Sequence, residues 1–279
     1  MTEIGAPQLT LPYGPDAEQL LDVHVPSGWQ PDDRRPVVVH VHGGGWKGGS
    51  RSDVSPLVAA QVRRGWVVVS VDYRLTPGAA FPEPIRDVDR AVRFVRANAG
   101  RLGVDPARLV LTGHSAGGYL AAAVGLGDMR PLLVSPDLPA ELRAQSSRPQ
   151  AIVTMGAILD IESFSDDPWW AAAWITNLFL ACPAADELVL ACSPSRMKAA
   201  SVTEWLDSRD PPMFVVHGID DRIVGVEQAW LVDKRSQEVG HGRVLLDIVD
   251  SGPLDARQHY PDYGANLTEL ESFLDDSTR

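Results

Sequence analysis

The chain has 279 residues, enough for one α/β domain with a large buried core, and at 44% hydrophobic and 22% charged its composition is that of an ordinary globular protein. Its formal net charge of −12 makes nucleic acid and anionic membranes poor partners on electrostatic grounds and favours a neutral or cationic small molecule. The opening residues Met1-Thr2-Glu3-Ile4-Gly5-Ala6-Pro7 have neither the basic nor the apolar region of a secretory signal, and no apolar run reaches the length of a membrane span.

A cytoplasmic protein is therefore expected. Cys182 and Cys192 match no zinc or redox spacing and read as two free thiols, with a disulfide between them as the alternative.

Residues 1–19 read as an irregular lead-in, and residues 20–25 alternate enough to form an early strand. Residues 26–36 are a polar turn. Val37-Val38-Val39-His40-Val41 is a compact apolar strand that runs into His42-Gly43-Gly44-Gly45-Trp46. A helix over 53–64 ends at Gly65, a C′ glycine. A buried strand over 66–71 leads to Asp72-Tyr73-Arg74-Leu75. The helix over 84–98 sets Ile85, Val88, Val92 and Val95 on one face.

Leu109-Val110-Leu111-Thr112 is the next strand, and it enters Gly113-His114-Ser115-Ala116-Gly117, followed by a small-residue helix from Tyr119. Strands over 150–155, 213–217 and 244–249 and helices over 226–239 and 266–274 complete the pattern. Continuous apolar strands alternating with helices indicate a mostly parallel sheet covered on both faces.

One interval breaks that rhythm. About fifty residues separate the strands ending near Met155 and starting near Met213, more than one crossover helix needs. Asp167-Pro168 reads as an N-cap with proline at the first helical position, and Trp169, Trp170, Trp174, Leu178 and Phe179 follow at helical spacing. The expectation is a single domain over 1–279 with a helical cap inserted at about 157–210. The tryptophans are either the apolar face of a packed helix or, in part, the wall of a substrate pocket.

Gly-x-Ser-x-Gly between a strand and a helix has the form of a nucleophile elbow, with Ser115 on a strained turn. The triple glycine at the end of an upstream strand suits an oxyanion loop, because backbone N–H groups reach a developing oxyanion only where the chain approaches closely. Gly44, Gly45 and the N–H of Ala116 are the expected donors. His42 reads as a loop-shaping hydrogen bonder. The segment His217-Gly218-Ile219-Asp220-Asp221-Arg222-Ile223-Val224 after an apolar strand offers a carboxylate, with two aspartates in competition.

Taken together these three motifs resemble the α/β-hydrolase superfamily, in the branch of small carboxylesterases (hormone-sensitive-lipase-like and feruloyl-esterase-like) and kynurenine formamidases, over roughly residues 20–275. The resemblance implies an α/β-hydrolase fold, with a mostly parallel central sheet, helices on both faces and an inserted helical cap. It aligns His-Gly-x-x-Asp-x-x-Val with Asp221 and Val224, leaving Asp220 as a neighbouring loop residue. It also implies a structural role for Asp72 and Arg74. Chain order in this fold is serine, acid, histidine, and only His241 and His259 follow Asp221. His241 precedes the last strand and should sit at the wrong sheet edge, so His259 is the expected base. The loop over 250–261 is longer than the family's, and His259 matches it by position rather than by motif.

The resemblance then implies a Ser115, Asp221 and His259 triad cleaving a small carboxylic ester through an acyl-enzyme, with no metal or organic cofactor. Trp46, Tyr119, Trp169, Trp170 and Trp174 are candidate substrate contacts. An arylformamidase acting on N-formylkynurenine or a relative is the rival within the class. A ligand-binding protein on a catalytically dead hydrolase fold is the rival outside it.

Overall fold

In the computed structural model, described over residues 4–126, 133–165, 171–182, 191–250, 259 and 267–279, the strands join one eight-stranded sheet. In chain order they are β1 (Leu9–Pro12), β2 (Leu20–His24), β3 (Arg35–Val41), β4 (Val67–Val71), β5 (Val104–His114), β6 (Ala151–Met155), β7 (Met213–Gly218) and β8 (Val244–Val249). They lie in the order β1-β2-β4-β3-β5-β6-β7-β8. The pairs β1/β2 and β2/β4 are antiparallel, and every pair from β4 onward is parallel.

The valine-rich strands bury both faces because each face has its own helical layer. Val38, Val68, Val110 and Val153 pack with Leu57 and Val58 of α1 (Pro56–Arg63) and Leu270, Phe273 and Leu274 of α10 (Leu267–Ser277). Val37, Val39, Val69 and Leu111 point the other way. They meet α2 (Glu83–Ala97), α4 (Ala116–Leu126) and α9 (Glu227–Glu238). The expected face of α2 is the buried one: Ile85, Val88, Val92 and Val95 are each 0% exposed. Ser55 caps α1 by accepting the Val58 N–H, and Gly65 follows with φ +91°.

Two elements depart from expectation. Residues 9–12 are an edge strand, paired Leu9 to Val23 and Pro12 to Leu20, where an irregular lead-in was expected. Four residues ending in proline carry little strand signal of their own, and an edge position tolerates the missing donor. The elbow strand begins at Val104 rather than near Leu109. Its register against β3 shifts between the pairs Arg35–Val104 and Val37–Leu109, which accommodates Pro106. The short helix α3 (Ala99–Leu102) turns the chain into it.

The interval between β6 and β7 holds α6 (Ile161–Ser165), α7 (Ala172–Phe179), α8 (Pro194–Ala200) and a 3-10 turn over Val202–Trp205, and α5 (Ala140–Arg143) precedes β6. Asp167, Pro168, Trp169 and Trp170 lie outside the described residues. Cys182 and Cys192 form a disulfide (S–S 2.03 Å), which corrects the expectation of free thiols. Ten residues apart in sequence, their Cα atoms lie 5.2 Å from each other. Among the described residues no helix is long and apolar enough to cross a membrane.

Candidate active site

Ser115 stands at the carboxyl end of β5 with φ +53°, a left-handed conformation that a side chain disfavours. Its N–H donates to Met155 O (2.8 Å) and its carbonyl accepts the Tyr119 N–H (3.1 Å), so it closes the strand and opens α4 in one residue. The turn is that sharp because α4 passes against the strand ends. A β-carbon on Gly113 would stand 2.2 Å from Gly117 O, and one on Gly117 would stand 2.2 Å from both Val41 O and His42 O. Ser115 is 6% exposed and stands at the positive end of a helix.

The triple-glycine loop leaves β3 beside it. A β-carbon on Gly43 would come 3.2 Å from the Ser115 β-carbon. Gly44 and Gly45 have φ +113° and +60°, and Gly44 O turns the chain by accepting from Lys47 and Gly48 (3.2 and 3.1 Å). Among the described residues the N–H groups of Gly44 and Gly45 have no acceptor. Ala116 is the first residue of α4, where an amide has no intrahelical partner. Among the described residues the three expected donors are therefore amides without an acceptor, at the loop and the helix start.

His42 behaves as a loop brace. Its Nδ1 lies 2.8 Å from Gly43 O, its ring stacks on Tyr73 (4.4 Å, 14°), and burial lowers its pKa. Tyr73 in turn donates to His42 O (3.1 Å). Asp72 accepts the Arg51 N–H (2.6 Å) and pairs with its guanidinium. Arg74 pairs with buried Asp87 (2.6 Å) and with Glu83 (3.1 Å). Asp72 and Arg74 are structural here.

Beyond β7 the two competing aspartates separate cleanly. Asp220 is exposed, while Asp221 is buried and its Oδ2 lies 2.8 Å from His259 Nδ1. Asp221 Oδ1 accepts the N–H groups of Ile223 (2.9 Å) and Val224 (3.1 Å). Burial pushes this carboxyl up, but the His259 ring and the two amides outweigh it and hold the pKa below the usual carboxylate value. His259 lies against the serine turn: its carbonyl is 2.8 Å from His114 Nε2, and the two rings are 4.7 Å apart. Burial and the neighbouring His259 push His114 down to about 3, so it is neutral at physiological pH.

His241 is elsewhere. It sits before β8, with Nδ1 3.0 Å from Ser236 Oγ and Nε2 3.2 Å from Asp210 O. His217 occupies Val224 O through Nε2 (2.8 Å), and burial lowers its pKa. Gly156, which the sequence did not single out, closes the cluster: a β-carbon there would be 3.4 Å from His259 Nδ1 and 3.5 Å from Asp221 Oδ2. Its place directly after the β6 strand was the available signal.

The expected substrate contacts fare differently. Trp46 and Tyr119 are each 0% exposed and offer no surface to a ligand. Trp46 stacks on Phe179, and the Tyr119 hydroxyl donates to Ala200 O (2.8 Å). Trp174 is half-buried with the Lys47 ammonium 4.0 Å over its ring. Trp169 and Trp170 lie outside the described residues. Among the described residues no cluster of three or more His, Cys, Asp or Glu side chains could hold a metal ion.

The chain is similar to several known proteins. It is 30% identical over 236 residues to Esterase LipQ of Mycobacterium tuberculosis, covering 84% of this chain and 53% of that one. It is 35% identical over 130 residues to the kynurenine formamidase of Danio rerio, covering 47% of this chain and 42% of the relative. The chain thus spans about half the length of the curated relatives it matches. Among solved structures, the propionate-bound thermophilic esterase Est2 of Thermogutta terrifontis superposes with a TM-score of 0.75 at 25% identity, over 99% of this chain and 96% of that one. Residues 21–235, which carry the glycine loop, Ser115 and Asp221, match the BD-FAE family model. This chain belongs to the BD-FAE family, on an α/β-hydrolase fold.

Proposed function

We propose that this protein hydrolyses small carboxylic esters through a Ser115 acyl-enzyme. The observation that carries the reading is the 2.8 Å contact of buried Asp221 Oδ2 with His259 Nδ1, on the edge of the sheet where Ser115 stands at φ +53°. Relatives named as esterases support the same class.

In this reading His259 takes the Ser115 proton through Nε2 as Oγ attacks the acyl carbon. Asp221 stays ionised, fixes the Nδ1–H tautomer and stabilises the imidazolium. The amides of Gly44, Gly45 and Ala116 receive the oxyanion, each contributing most as charge develops. His259 then protonates the leaving alkoxide, and water hydrolyses the acyl group by the same route. The partner is a small neutral molecule, in keeping with the acidic chain.

A second reading, an aryl formamide substrate, is favoured by the formamidase relative and needs the same machinery. One assay separates the two: a short-chain aryl ester beside N-formylkynurenine, with Ser115→Ala as control. The expected result is ester turnover that falls to near the buffer rate in Ser115→Ala with folding intact. A kcat/KM preference for the formamide of about a hundredfold or more would move the assignment to the amide, since that ratio is roughly 3 kcal/mol of transition-state binding. Activity retained in Ser115→Ala would overturn both readings.

A further inference from the structure

Trp46 carries two local penalties at once. It is a non-glycine residue at φ +58°, and its buried indole Nε1 has no hydrogen-bond partner among the described residues. Such a residue keeps its conformation only where its surroundings over-determine it. Here they do so from three sides. Phe179 of α7 stacks on the indole (4.0 Å, 13°). Tyr119 of α4, one turn beyond Ser115, meets both rings edge-on at 5.3 Å. Thr76 donates its N–H (2.8 Å) and its hydroxyl (3.1 Å) to Trp46 O.

Ile175, one turn before Phe179 on α7, extends this grip to the preceding residue. Its Cδ1 lies 3.2 Å from where a β-carbon on Gly45 would stand. Beyond Phe179, α7 is itself tied down. Phe179 O accepts the Phe81 N–H (2.8 Å), Leu180 O accepts from Arg196 (2.6 and 3.0 Å), and the Cys182–Cys192 disulfide follows. One helix of the β6–β7 insertion therefore contacts two successive residues of the glycine loop.

We propose that Phe179, assisted by Ile175, is a positioning residue for the oxyanion donors. By holding Trp46 in its left-handed conformation it fixes the orientation of the Gly44 and Gly45 amides relative to Ser115. This rests on the hydrolase reading above. Removing the stack lets Trp46 relax toward an ordinary φ, which turns the peptide before it and carries Gly45 away from the serine. The consequence falls on the transition state, where the oxyanion exists, and not on the ground-state ester.

The test compares Phe179→Leu with a control of the same chemistry on the opposite face of the sheet, Phe273→Leu. Phe273 packs on Phe214 at 5.4 Å among the α10 contacts. Each variant is measured for Tm, for kcat and KM on a short-chain aryl ester, and for inhibition by phenylboronic acid, whose tetrahedral serine adduct occupies the oxyanion site. Phe179→Leu is expected to lower kcat about tenfold, less than the 10²–10³ lost with a whole donor, and to weaken the boronate by a similar factor. KM should stay within about twofold. Phe273→Leu should lower Tm and leave kcat and boronate affinity in place.

An unchanged kcat in Phe179→Leu, or an equal loss in both variants, would overturn the proposal. If Phe179→Leu does not fold, Ile175→Val replaces it, with an expected kcat fall of about threefold and the same reading of outcomes. Wild-type protein with neither Ser115-dependent turnover nor boronate binding would instead remove the hydrolase reading, and this proposal with it.

Discussion

Asp220 and Asp221 are chemically identical neighbours in different surroundings. Asp221 is buried, accepts two backbone N–H groups and meets His259 at 2.8 Å, while Asp220 faces water. Asp221→Asn should lower kcat about 10³–10⁴-fold, because the amide favours the wrong imidazole tautomer, whereas Asp220→Asn should stay within about twofold. Steady-state kinetics on the same ester decides between them. Because Asp221 is held below the ordinary carboxylate value, its protonation adds nothing to the rate profile above that value. The two histidines that followed Asp221 in sequence separate in the same way. His241→Asn should cost stability, through lost contacts to Ser236 and Asp210, and leave kcat near wild type. The Gly-x-Ser-x-Gly and triple-glycine motifs were legible because close backbone approach leaves glycine as the residue that fits. The role of Trp46 was not: an aromatic beside an oxyanion loop reads equally well as pocket wall or as core, and only its 0% exposure decides for core.

At the scale of elements, the strands and long helices could be read from periodicity, and their boundaries moved by a few residues. The elements that escaped were those whose stability comes from a partner. β1 exists because β2 offers it a ladder, and the start of β5 is set by a register shift against β3. The disulfide escaped for the same reason, since ten intervening residues say nothing about whether two thiols meet. It closes a short loop at the end of α7, so the Cys182→Ser, Cys192→Ser double variant should lose roughly 2–3 kcal/mol on a chain-entropy estimate. For a chain of this size that corresponds to a Tm lower by roughly 5 °C, measured beside wild type with and without a dithiol reductant. A variant that melts with wild type, or a wild-type Tm indifferent to reductant, would show that the bond does not restrain α7. The bond also bears on compartment, because disulfides persist where thiols are not kept reduced.

For the molecule as a whole, buried histidines contribute to the acid side of stability. Burial pushes His40 down to about 4, and burial with the neighbouring His259 pushes His114 down to about 3. Burial lowers His24, His42, His217 and His241 as well. In the unfolded chain these rings protonate near 6.5, so between that value and their native values the unfolded state binds more protons and stability falls as pH falls. For His40 alone the full effect is on the order of 3 kcal/mol. The depressed Asp221 adds its own loss only below the ordinary carboxylate value. The urea midpoint should therefore drop steeply from pH 7 to pH 4.5, before most carboxylates titrate. A flat midpoint over that interval would contradict this account.

Short-range chemistry determined what could be read directly from the chain. Continuous apolar strands alternating with helices called for a sheet buried on both faces. Glycines stood where side chains could not fit, and serine, aspartate and histidine followed in an order that one parallel sheet can gather at its carboxyl edge. The tertiary structure decided what depends on distance between remote segments: that Asp221 rather than Asp220 meets His259, that Cys182 and Cys192 bond, and that Phe179 rather than a ligand covers Trp46. Local sequence constrains each residue's own conformations, whereas these contacts are selected by packing the whole chain at once.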